Sequence, residues 1–537
     1  MKKISLVFLF FSMVSCSGIK NLKKETEVYQ NQLAKQSVNL SHSDVLNRSE
    51  NGNWQLRIGG NPYELGYKKG LLTQKLYHYQ EHIFFDKVAE IIPNPSKQKK
   101  LLLFLKWYNR FILDDVPLEL KQELFALSAF GSNTFNDLGT KFERNLLLHS
   151  SHDIGHAMQD LMLVGCSSVA LWGDYTEDGN LLIGRNFDFY VNDAFAKNKI
   201  VEFIRPEKGY NYASVTWPGM VGVVSGMNEK GLTVTLNAGK SSIPLRGKTP
   251  VSIVARYILQ NAENIDEAVQ IAQTFEVFVS ESFLIGSARD NKAVVIEMSP
   301  KKFDVYEQQN GKLICTNHFQ SKSYQSDRRN QQHIEHSHSQ YRLEKLEESF
   351  PEKQTYQVDD VLNVLRDVSG LHHQNIGLGN EKALNQLMAH HAVIFQPQKL
   401  IMYVSNNPYQ LGAFDAYDLK DIFSGNELKP VKRMELPADD FISSSAFKNY
   451  RLYKKAEEII EHSIDGKTVL SEDFLNDFAW LNPDLWRTCK LLGDYYMVQQ
   501  NWQNAVKNYE LALQKEISSE TERKAIIKNH QKALKKL

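Results

Sequence analysis

Residues 161–190 read "LMLVGCSSVALWGDYTEDGNLLIGRNFDFY" and contain two apolar runs of strand length on either side of the turn residues Asp178-Gly179-Asn180. This pattern predicts a β-hairpin. Its first strand begins at Gly165-Cys166, and its second strand ends in Arg185 and Asp188. Cys166 has a structural interpretation, since free cysteine is among the residue types most often buried. It also has a catalytic one, because an arginine and an aspartate lie at the facing end of the hairpin.

The length and composition predict an ordinary globular protein of two or three domains. The chain has 537 residues, too many for one hydrophobic core. Hydrophobic residues make up 42% and charged residues 23%, which argues against wholesale disorder. Lys plus Arg and Asp plus Glu both number 63, so the formal net charge is zero. No nucleic-acid partner is expected on electrostatic grounds.

Residues 1–16 have the features of an export signal. Met1-Lys2-Lys3 is basic, and the "ISLVFLFFSMV" that follows is too short to remain as a membrane span. Ser15-Cys16 resembles a bacterial lipobox, in which the cysteine becomes the lipidated N-terminus, although Met13 stands where leucine is usual. We expect an exported lipoprotein of the bacterial cell envelope, anchored through Cys16. An ordinary signal peptide is the alternative.

Four regions follow the signal. Residues 17–50 are polar and predict a tether. Residues 51–165 have apolar residues at helical spacing and predict a helical leader. In residues 166–428, β-rich runs such as "GLTVTLNA" flank two helical stretches, which predicts an α+β domain with sheets packed between helices.

Residues 429–537 are helical again. The segment "LLGDYYMVQQNWQNAVKNYELALQKE" has the small and aromatic residues of one tetratricopeptide-like (TPR-like) helix pair. A single pair cannot bury its own apolar face, so we expect a small helical appendage docked on the rest of the protein. A protein partner bound at these helices is the alternative.

The cysteines favour a reactive thiol. If Cys16 is lipidated, Cys166, Cys315 and Cys489 remain, which is an odd number without close spacing. That is neither a disulfide framework nor a CxxC metal site. For Cys315, a buried core thiol is the expected role.

The histidines do not predict a metal centre. "HSSHDIGHAMQD" spaces three of them at helical intervals, namely His149, His152 and His156. This helix has no carboxylate-rich partner segment, so a structural role is expected, and the pairs His372-His373 and His390-His391 have no assigned role. The sequence therefore predicts no metal and no cofactor.

The Gly165-Cys166 junction allows one residue to be both nucleophile and base. If the bond between them is cut, Cys166 gains an α-amine whose usual pKa is about 8, close enough to neutrality for a general base. No histidine is then needed to activate the thiol. Glycine suits the position before the cut, because the thiol must attack the preceding carbonyl through a strained backbone.

Such a site needs charged groups to tune the thiol and neutral donors for the oxyanion. Arg185 and Asp188 end the partner strand of the hairpin. In "GLTVTLNAG", Asn237 ends the polar face of a strand, and "KLICTNHF" places Asn317 at the end of another strand. The structural alternatives are an ion pair for the first two residues and turn positions for the two asparagines.

In combination these segments resemble the cysteine N-terminal nucleophile (Ntn) hydrolases, in particular the autoproteolytic group that includes penicillin acyltransferase. The resemblance to choloylglycine hydrolases, penicillin V acylases and acid-ceramidase-like amidases is more distant. The matching text is "LRIGGNPYELGYKKG", "GCSSVALWGDYTEDGNLLIGRNFDF", "WPGMVGVVSGMNEKGLTVTLNAG" and "LICTNHF". Its combination is more specific than any single motif.

The resemblance implies a four-layer αββα sandwich in which Cys166 is the nucleophile. Arg185 and Asp188 would orient the thiolate and the α-amine, while Asn237 and Asn317 would hold the oxyanion and the substrate carbonyl. The leader would stay associated as a small chain after cleavage. Choloylglycine hydrolases use a further arginine from late in their domain, but "LIMYVSNNPYQ" near the equivalent strands has none, which argues against a bile-salt substrate.

The sequence thus predicts a self-processing, lipid-anchored amidase. It would hydrolyse a linear amide C–N bond of an N-acylated small molecule through a Cys166 thioester. Acyl transfer to an amine acceptor is the alternative reaction. A catalytically inert surface lipoprotein that binds a partner through its C-terminal helices is the non-enzymatic alternative.

Overall fold

The structure, a computed structural model, describes residues 18–33, 38–157, 164–189, 192–242 and 246–537. The predicted signal peptide and Cys16 lie outside the described residues. The strands in chain order are β1 (Val45–Arg48), β2 (Trp54–Gly60), β3 (Val164–Leu171), β4 (Leu182–Phe189), β5 (Ile200–Pro206), β6 (Tyr212–Thr216), β7 (Ser225–Asn228), β8 (Leu232–Ala238), β9 (Glu281–Ser287), β10 (Lys292–Ser299), β11 (Lys302–Glu307), β12 (Lys312–Cys315), β13 (His391–Gln396), β14 (Ile401–Ser405) and β15 (Phe414–Asp418).

These strands form two sheets. Sheet A has the order β1-β2-β5-β6-β7-β8-β9-β10-β11, and sheet B has the order β12-β3-β4-β13-β14-β15. Strands β2 and β5 pair in parallel, whereas β3 and β4 form the antiparallel hairpin predicted from residues 161–190. The hairpin lies inside sheet B, where β12 pairs with the second half of β3, from Ser168 to Leu171, and β13 pairs with β4.

The helices lie outside the two sheets and at both ends of the chain. In chain order they are α1 (Leu22–Leu33), α2 (Pro62–Ile91), α3 (Pro95–Tyr108), α4 (Ile112–Asp115), α5 (Leu118–Ser128), α6 (Lys141–Ala157), α7 (Asp193–Ala196), α8 (Val251–Asn261), α9 (Ile265–Gln273), α10 (Arg328–His336), α11 (Ser339–Ser349), α12 (Val358–Leu365), α13 (Leu419–Phe423), α14 (Ser445–Gly466), α15 (Glu472–Leu481), α16 (Trp486–Val498), α17 (Trp502–Leu513) and α18 (Glu520–Leu534).

Three apolar cores separate four layers. Between the sheets, Val201 and Phe203 of sheet A pack in one cluster with Ile183 and Val393 of sheet B. The other face of sheet A packs on α8 and α9, and the other face of sheet B packs on α11 and α12. Side chains that alternate along each strand supply both faces, as the strand period requires. The α+β fold class and the αββα layering are therefore confirmed.

The leader is joined to the α+β domain by a strand as well as by helices. Strand β2 pairs with β5 over seven residues of each strand, from Trp54↔Ile200 to Gly60↔Pro206. Helix α2 then begins at a capping box, in which the Asn61 side chain accepts from the Glu64 N–H and the Glu64 carboxylate accepts from the Asn61 N–H. A cut at residue 165 would leave this ladder intact.

The prediction of a tether over residues 17–50 is wrong for the segments that the structure describes. Helix α1 packs on the leader, and Ile19 and Tyr29 are buried in its core. Strand β1 pairs with β2 at the edge of sheet A. The segment is poor in apolar residues, but those few are buried on the large apolar surface of the leader helices, which its composition alone does not reveal.

Helices α14–α18 form a separate apolar core that also contains Leu387 and Leu411 of the preceding domain. Gly493 of α16 allows the TPR-like pair to close, since a Cβ there would lie 2.6 Å from the Tyr509 ring. Asn482 accepts from the N–H of Leu378 (3.2 Å) and donates to its carbonyl (2.8 Å). The appendage thus packs on its own helices and on the α+β domain. None of the helices in the described ranges has the length and hydropathy that a membrane span requires.

Candidate active site

The β3–β4 hairpin places the predicted site residues on two faces of sheet B. Cys166 lies opposite Phe187, and Ser168 lies opposite Arg185, so these four side chains share the face toward sheet A. Gly165 lies opposite Asp188 on the face toward the helices. Arg185 and Asp188 are three residues apart and therefore act on different sides of the Gly165-Cys166 bond.

Cys166 is fully buried and held at its backbone and at its thiol. Its N–H donates to Oδ1 of Asn317 at 2.8 Å, and its carbonyl accepts from Nη1 of Arg342. Nη2 of Arg185 lies 3.8 Å from Sγ. Burial raises the pKa of the thiol to about 11, and the nearby Arg185 guanidinium opposes that rise. Since the chain is continuous at Gly165-Cys166, this is the site of the uncut protein.

Arg185 is held by a network behind the thiol. Its guanidinium stacks over the Phe187 ring at 4.3 Å and donates to the Leu236 carbonyl and to the Ser225 hydroxyl. The Ser225 oxygen lies 2.8 Å from Nε2 of His391. Because a guanidinium only donates, the serine keeps its own hydrogen for that nitrogen. The network fixes the guanidinium beside Sγ.

The histidine pair "HH" at residues 390–391 therefore has a role that the sequence did not assign. His391 Nδ1 lies 2.8 Å from His390 Nδ1, so one ring donates to the other. Both rings are buried, and burial lowers the pKa of each well below its usual value. Two neutral imidazoles thus extend the network that ends at Arg185.

Asp188 is a buried carboxyl group without a counter-charge in contact. Neither carboxylate oxygen has a hydrogen-bond partner among the described residues. Burial raises the pKa of Asp188 to about 7, and the positive charges of Arg342 and Arg185 oppose the rise. Among the described ion pairs none joins Arg185 to Asp188, so the alternative of an ion pair that closes the hairpin is wrong.

Asn237 lies across the sheet interface from the hairpin. Its Oδ1 accepts from the Ser168 hydroxyl at 3.0 Å, which places it on the Cys166 face. Its Nδ2 donates to the carbonyls of Cys315 (2.9 Å) and Thr316 (3.2 Å). Both amide hydrogens are engaged in the uncut chain, so Asn237 has no free donor there.

Asn317 contacts the junction directly. Its Oδ1 accepts from the Cys166 N–H and from Nη2 of Arg342 at 2.6 Å, and its Nδ2 donates to the Ala238 carbonyl at 3.1 Å. The Ser339 hydroxyl, at the start of α11, accepts from the Asn317 N–H at 2.8 Å. The side chain is therefore fixed against the nitrogen that self-cleavage would release as an amine.

Arg342 is a site residue that the sequence did not reveal. It is buried on α11 and donates to the Cys166 carbonyl, to Oγ of Ser167 (2.9 Å) and to Asn317. The segment "LIMYVSNNPYQ", where the resemblance to choloylglycine hydrolases would place a further arginine, has none. Arg342 comes instead from a helix in "SQYRLEKLEES", which has no local motif.

An aromatic cleft begins beside the thiol. Phe187, the cross-strand partner of Cys166, stacks on Phe189 with ring centroids 5.8 Å apart, and Phe189 stacks on Trp217 at 5.9 Å. Phe189 and Trp217 line a narrow cleft together with Phe195 and Met220, and leader helices α2 and α6 close its other side. The stacked rings thus connect this apolar surface to Phe187, the cross-strand partner of Cys166.

The remaining cysteine and histidine predictions concern structural roles. Cys315 is buried in the core between the sheets, where burial raises its pKa. His149 Nδ1 lies 2.8 Å from the Asn145 carbonyl, and its Nε2 accepts from the Val221 N–H at 2.8 Å, so the ring is a neutral structural link. The side chains of His152 and His156 lie outside the described part of the chain.

Residues 175–406 match the family model described as acyl-coenzyme A:6-aminopenicillanic acid acyl-transferase. The matched segment begins after Cys166 and contains the other predicted site residues, namely Arg185, Asp188, Asn237 and Asn317. The match confirms the resemblance to the Ntn hydrolases of the penicillin acyltransferase group. Over the matched segment the chain is thus similar to a family of acyltransferases.

Similar proteins include an uncharacterized protein of Archaeoglobus fulgidus, 26% identical over 48% of this chain and 45% of its own. Protein dcd1B of Dictyostelium discoideum is 23% identical over 45% of this chain and 50% of its own. The chain thus spans about half the length of the curated relatives it matches. Among solved structures, the Caenorhabditis elegans ortholog of N-acylethanolamine-hydrolyzing acid amidase is 20% identical over 43% of this chain and 93% of its own, with a TM-score of 0.32. Conjugated bile acid hydrolase of Clostridium perfringens is 16% identical over 50% of this chain and 96% of its own, with a TM-score of 0.33.

Proposed function

We propose that this protein is a self-processing amidase that hydrolyses linear amide C–N bonds of N-acylated small molecules through a thioester on Cys166. The observation that carries the proposal is the position of a buried thiol directly after Gly165 and beside the Arg185 guanidinium, at 3.8 Å. A structural cysteine needs neither a buried arginine at its sulfur nor a carboxyl group opposite the residue before it.

Self-cleavage would create the base that the thiol lacks. In the uncut chain the raised pKa keeps the thiol protonated at neutral pH. Cleavage of the Gly165-Cys166 bond releases an α-amine whose usual pKa is about 8, and this amine can accept the thiol proton through the same residue. Arg185 would then stabilise the thiolate, and Asp188 would hold the α-amine near the position where it now faces Gly165.

In the amidase reaction the thiolate attacks the substrate carbonyl and forms a tetrahedral oxyanion. The amine leaves with a proton from the Cys166 α-ammonium, and water hydrolyses the resulting thioester. The amides of Asn237 and Asn317 would supply the oxyanion donors. The new amine would replace the N–H that Asn317 now accepts, so that cleavage rearranges the hydrogen bonds of the site.

The aromatic cleft supports an apolar acyl group as the part of the substrate nearest the thiol. Its lining of Phe189, Phe195 and Trp217 can bury an alkyl or aryl chain, at about 25 cal/mol per Å² of apolar surface. Acyl transfer to an amine is the second candidate reaction, and the acyl-transferase description of the matched family favours it. The two reactions differ only in what captures the thioester.

We also propose that the protein is exported and anchored through lipidated Cys16, and that its C-terminal helices offer a surface for a protein partner. The basic start, the short apolar run and Ser15-Cys16 support the anchor. The TPR-like helix pair supports the partner, although its main apolar face is already packed within the protein.

The test is turnover of a panel of N-acyl amides that differ in acyl length, with and without a primary amine as acceptor. We expect release of the free acid, an acyl adduct on the fragment that begins at Cys166 by intact mass, and no turnover by Cys166→Ala. Capture of most of the acyl group by the amine would instead establish the transferase. A wild-type protein that forms no adduct with any member of the panel would favour the inert lipoprotein.

A further inference from the structure

We propose that Gln386 is a positioning residue for self-cleavage, in which its side-chain N–H donates to the Gly165 carbonyl oxygen as Cys166 attacks. This inference rests on the proposed self-processing function. A Cβ built on Gly165 would lie 2.5 Å from Nε2 of Gln386 and 2.9 Å from its Oε1. The glutamine amide therefore packs directly against the residue whose carbonyl is attacked.

The amide of Gln386 is buried and has no acceptor. The side chain is 2% exposed, and its Nε2 makes no hydrogen bond with any described residue. A buried donor without a partner is destabilising, so a functional acceptor is the natural explanation. A carbonyl that becomes an oxyanion during a reaction would provide the missing acceptor.

The segment that carries Gln386 is held from two sides. On the catalytic side, Asn186 of β4 donates to the Leu384 carbonyl at 2.9 Å, and the Asn385 N–H donates to the Asp367 carbonyl at 2.9 Å. On the other side, Leu387 is packed in the core of helices α14–α18. Gln386 thus lies in a loop that hydrogen bonds hold on one side, and the residue after it, Leu387, packs against the C-terminal appendage.

The chemistry of the cut requires such a donor. Sγ of Cys166 forms a bond to the Gly165 carbonyl carbon, and negative charge develops on the carbonyl oxygen. The C–N bond then breaks, the nitrogen takes the proton that the thiol has lost, and a Gly165 thioester and a free α-amine result. Water hydrolyses the thioester to a Gly165 carboxylate and regenerates the thiol. An oxyanion forms on the Gly165 carbonyl oxygen in both of these steps but not in turnover of a separate substrate, so a donor placed for it acts on cleavage and not on later turnover.

Asn237, which the sequence predicts as an oxyanion donor, has no free N–H before the chain is cut. Both Nδ2 hydrogens of Asn237 are engaged with the carbonyls of Cys315 and Thr316. Asn317 accepts from the Cys166 N–H and donates to the Ala238 carbonyl. Gln386, in contrast, has an uncommitted amide against Gly165. Gln386 lies on the helix side of sheet B, as Asp188 does, whereas Asn237 lies on the side of the Cys166 thiol.

The experiment follows cleavage of the full-length chain in cell-free translation, with the uncut and cut forms separated by mass. Gln386→Met keeps the length of the side chain but removes the N–H, and Gln386→Leu removes it with a different, branched shape. Gln410→Met is the matched control, because Gln410 is equally buried, at 1%, but donates to the Leu365 carbonyl. Cys166→Ala reports on the proposed function itself.

We expect both Gln386 variants to cleave roughly 100-fold more slowly, as expected for loss of an oxyanion donor. The molecules that are cut should then turn over substrate within a few fold of wild type, and Gln410→Met should cleave at the wild-type rate. Wild-type cleavage by Gln386→Met would overturn the inference, and so would slow cleavage by Gln386→Leu that is accompanied by equal losses of thermal stability and of mature activity. Cleavage of Cys166→Ala would instead overturn self-processing.

Discussion

Replacing Asp188 by asparagine should make the uncut protein more stable at neutral and alkaline pH. The carboxyl group is buried on the helix side of β4, and both oxygens lack hydrogen-bond partners among the described residues. Burial raises its pKa from 3.8 to about 7. Above that pH the folded chain must hold a buried negative charge that the unfolded chain exposes to water. An asparagine has nearly the same shape and no charge.

The size and the sign of the change in stability follow from the pKa of Asp188 in the folded and in the unfolded chain. The folded chain binds the Asp188 proton more tightly than the unfolded chain does. The stability that this proton binding contributes is therefore complete below about pH 4 and is lost as pH rises to about 7. At about 1.4 kcal/mol per pKa unit, the interval from 3.8 to about 7 corresponds to about 4 kcal/mol. The variant should therefore gain stability relative to its parent mainly between pH 4 and pH 7.

The assay is chemical denaturation at pH 4 and pH 8 in a Cys166→Ala background, which keeps the chain uncut. Asp477→Asn, at an exposed position on α15, is the control and should change little between the two pH values. The reasoning would be refuted if Asp188→Asn destabilised the protein by the same amount at both. That result would mean that the ionised carboxylate has a favourable partner in the folded chain.

Three further predictions follow from the site and the fold. Asn237→Ala and Asn317→Ala should fold but lose roughly 100- to 1,000-fold in kcat on an N-acyl amide, and wild-type rates in both would make them structural residues. Gly377→Ala should lower the thermal midpoint, because Gly377 has a φ of +81° and a Cβ there would lie 2.3 Å from the Leu485 nitrogen. The mature variant should turn over substrate within a few fold of wild type if the appendage lies outside the active site. Complete loss of turnover would show that the appendage shapes the site. Cys16→Ala should abolish incorporation of labelled fatty acid, and continued labelling of that variant would refute the lipid anchor.

The strand patterns predicted much of the fold and four of the polar positions around the thiol. Alternation along "GLTVTLNAG" predicted that Asn237 lies on the polar face of its strand, which is the face toward sheet B in the structure. The turn at residues 178–180 predicted the hairpin, in which the structure pairs Cys166 with Phe187. These are local patterns with a period of two residues. The structure has the strand faces that these patterns predict, because each strand is buried on both faces and packing fixes its register.

The residues that the sequence did not reveal come from distant segments without a local pattern. Arg342 reaches Cys166 from a helix 176 positions along the chain, and Gln386 reaches Gly165 from an irregular loop. His391 supports Arg185 only through Ser225. No spacing rule connects these positions, since the folding of both sheets brings them together. The same holds for Tyr29, whose burial depends on the leader helices.

The most direct test of the central claim is N-terminal sequencing and intact-mass measurement of the purified wild-type protein. We predict two fragments that remain together, the heavier beginning at Cys166, and a single uncut chain for Cys166→Ala. A fully active protein in which the Gly165-Cys166 bond is intact would contradict the account.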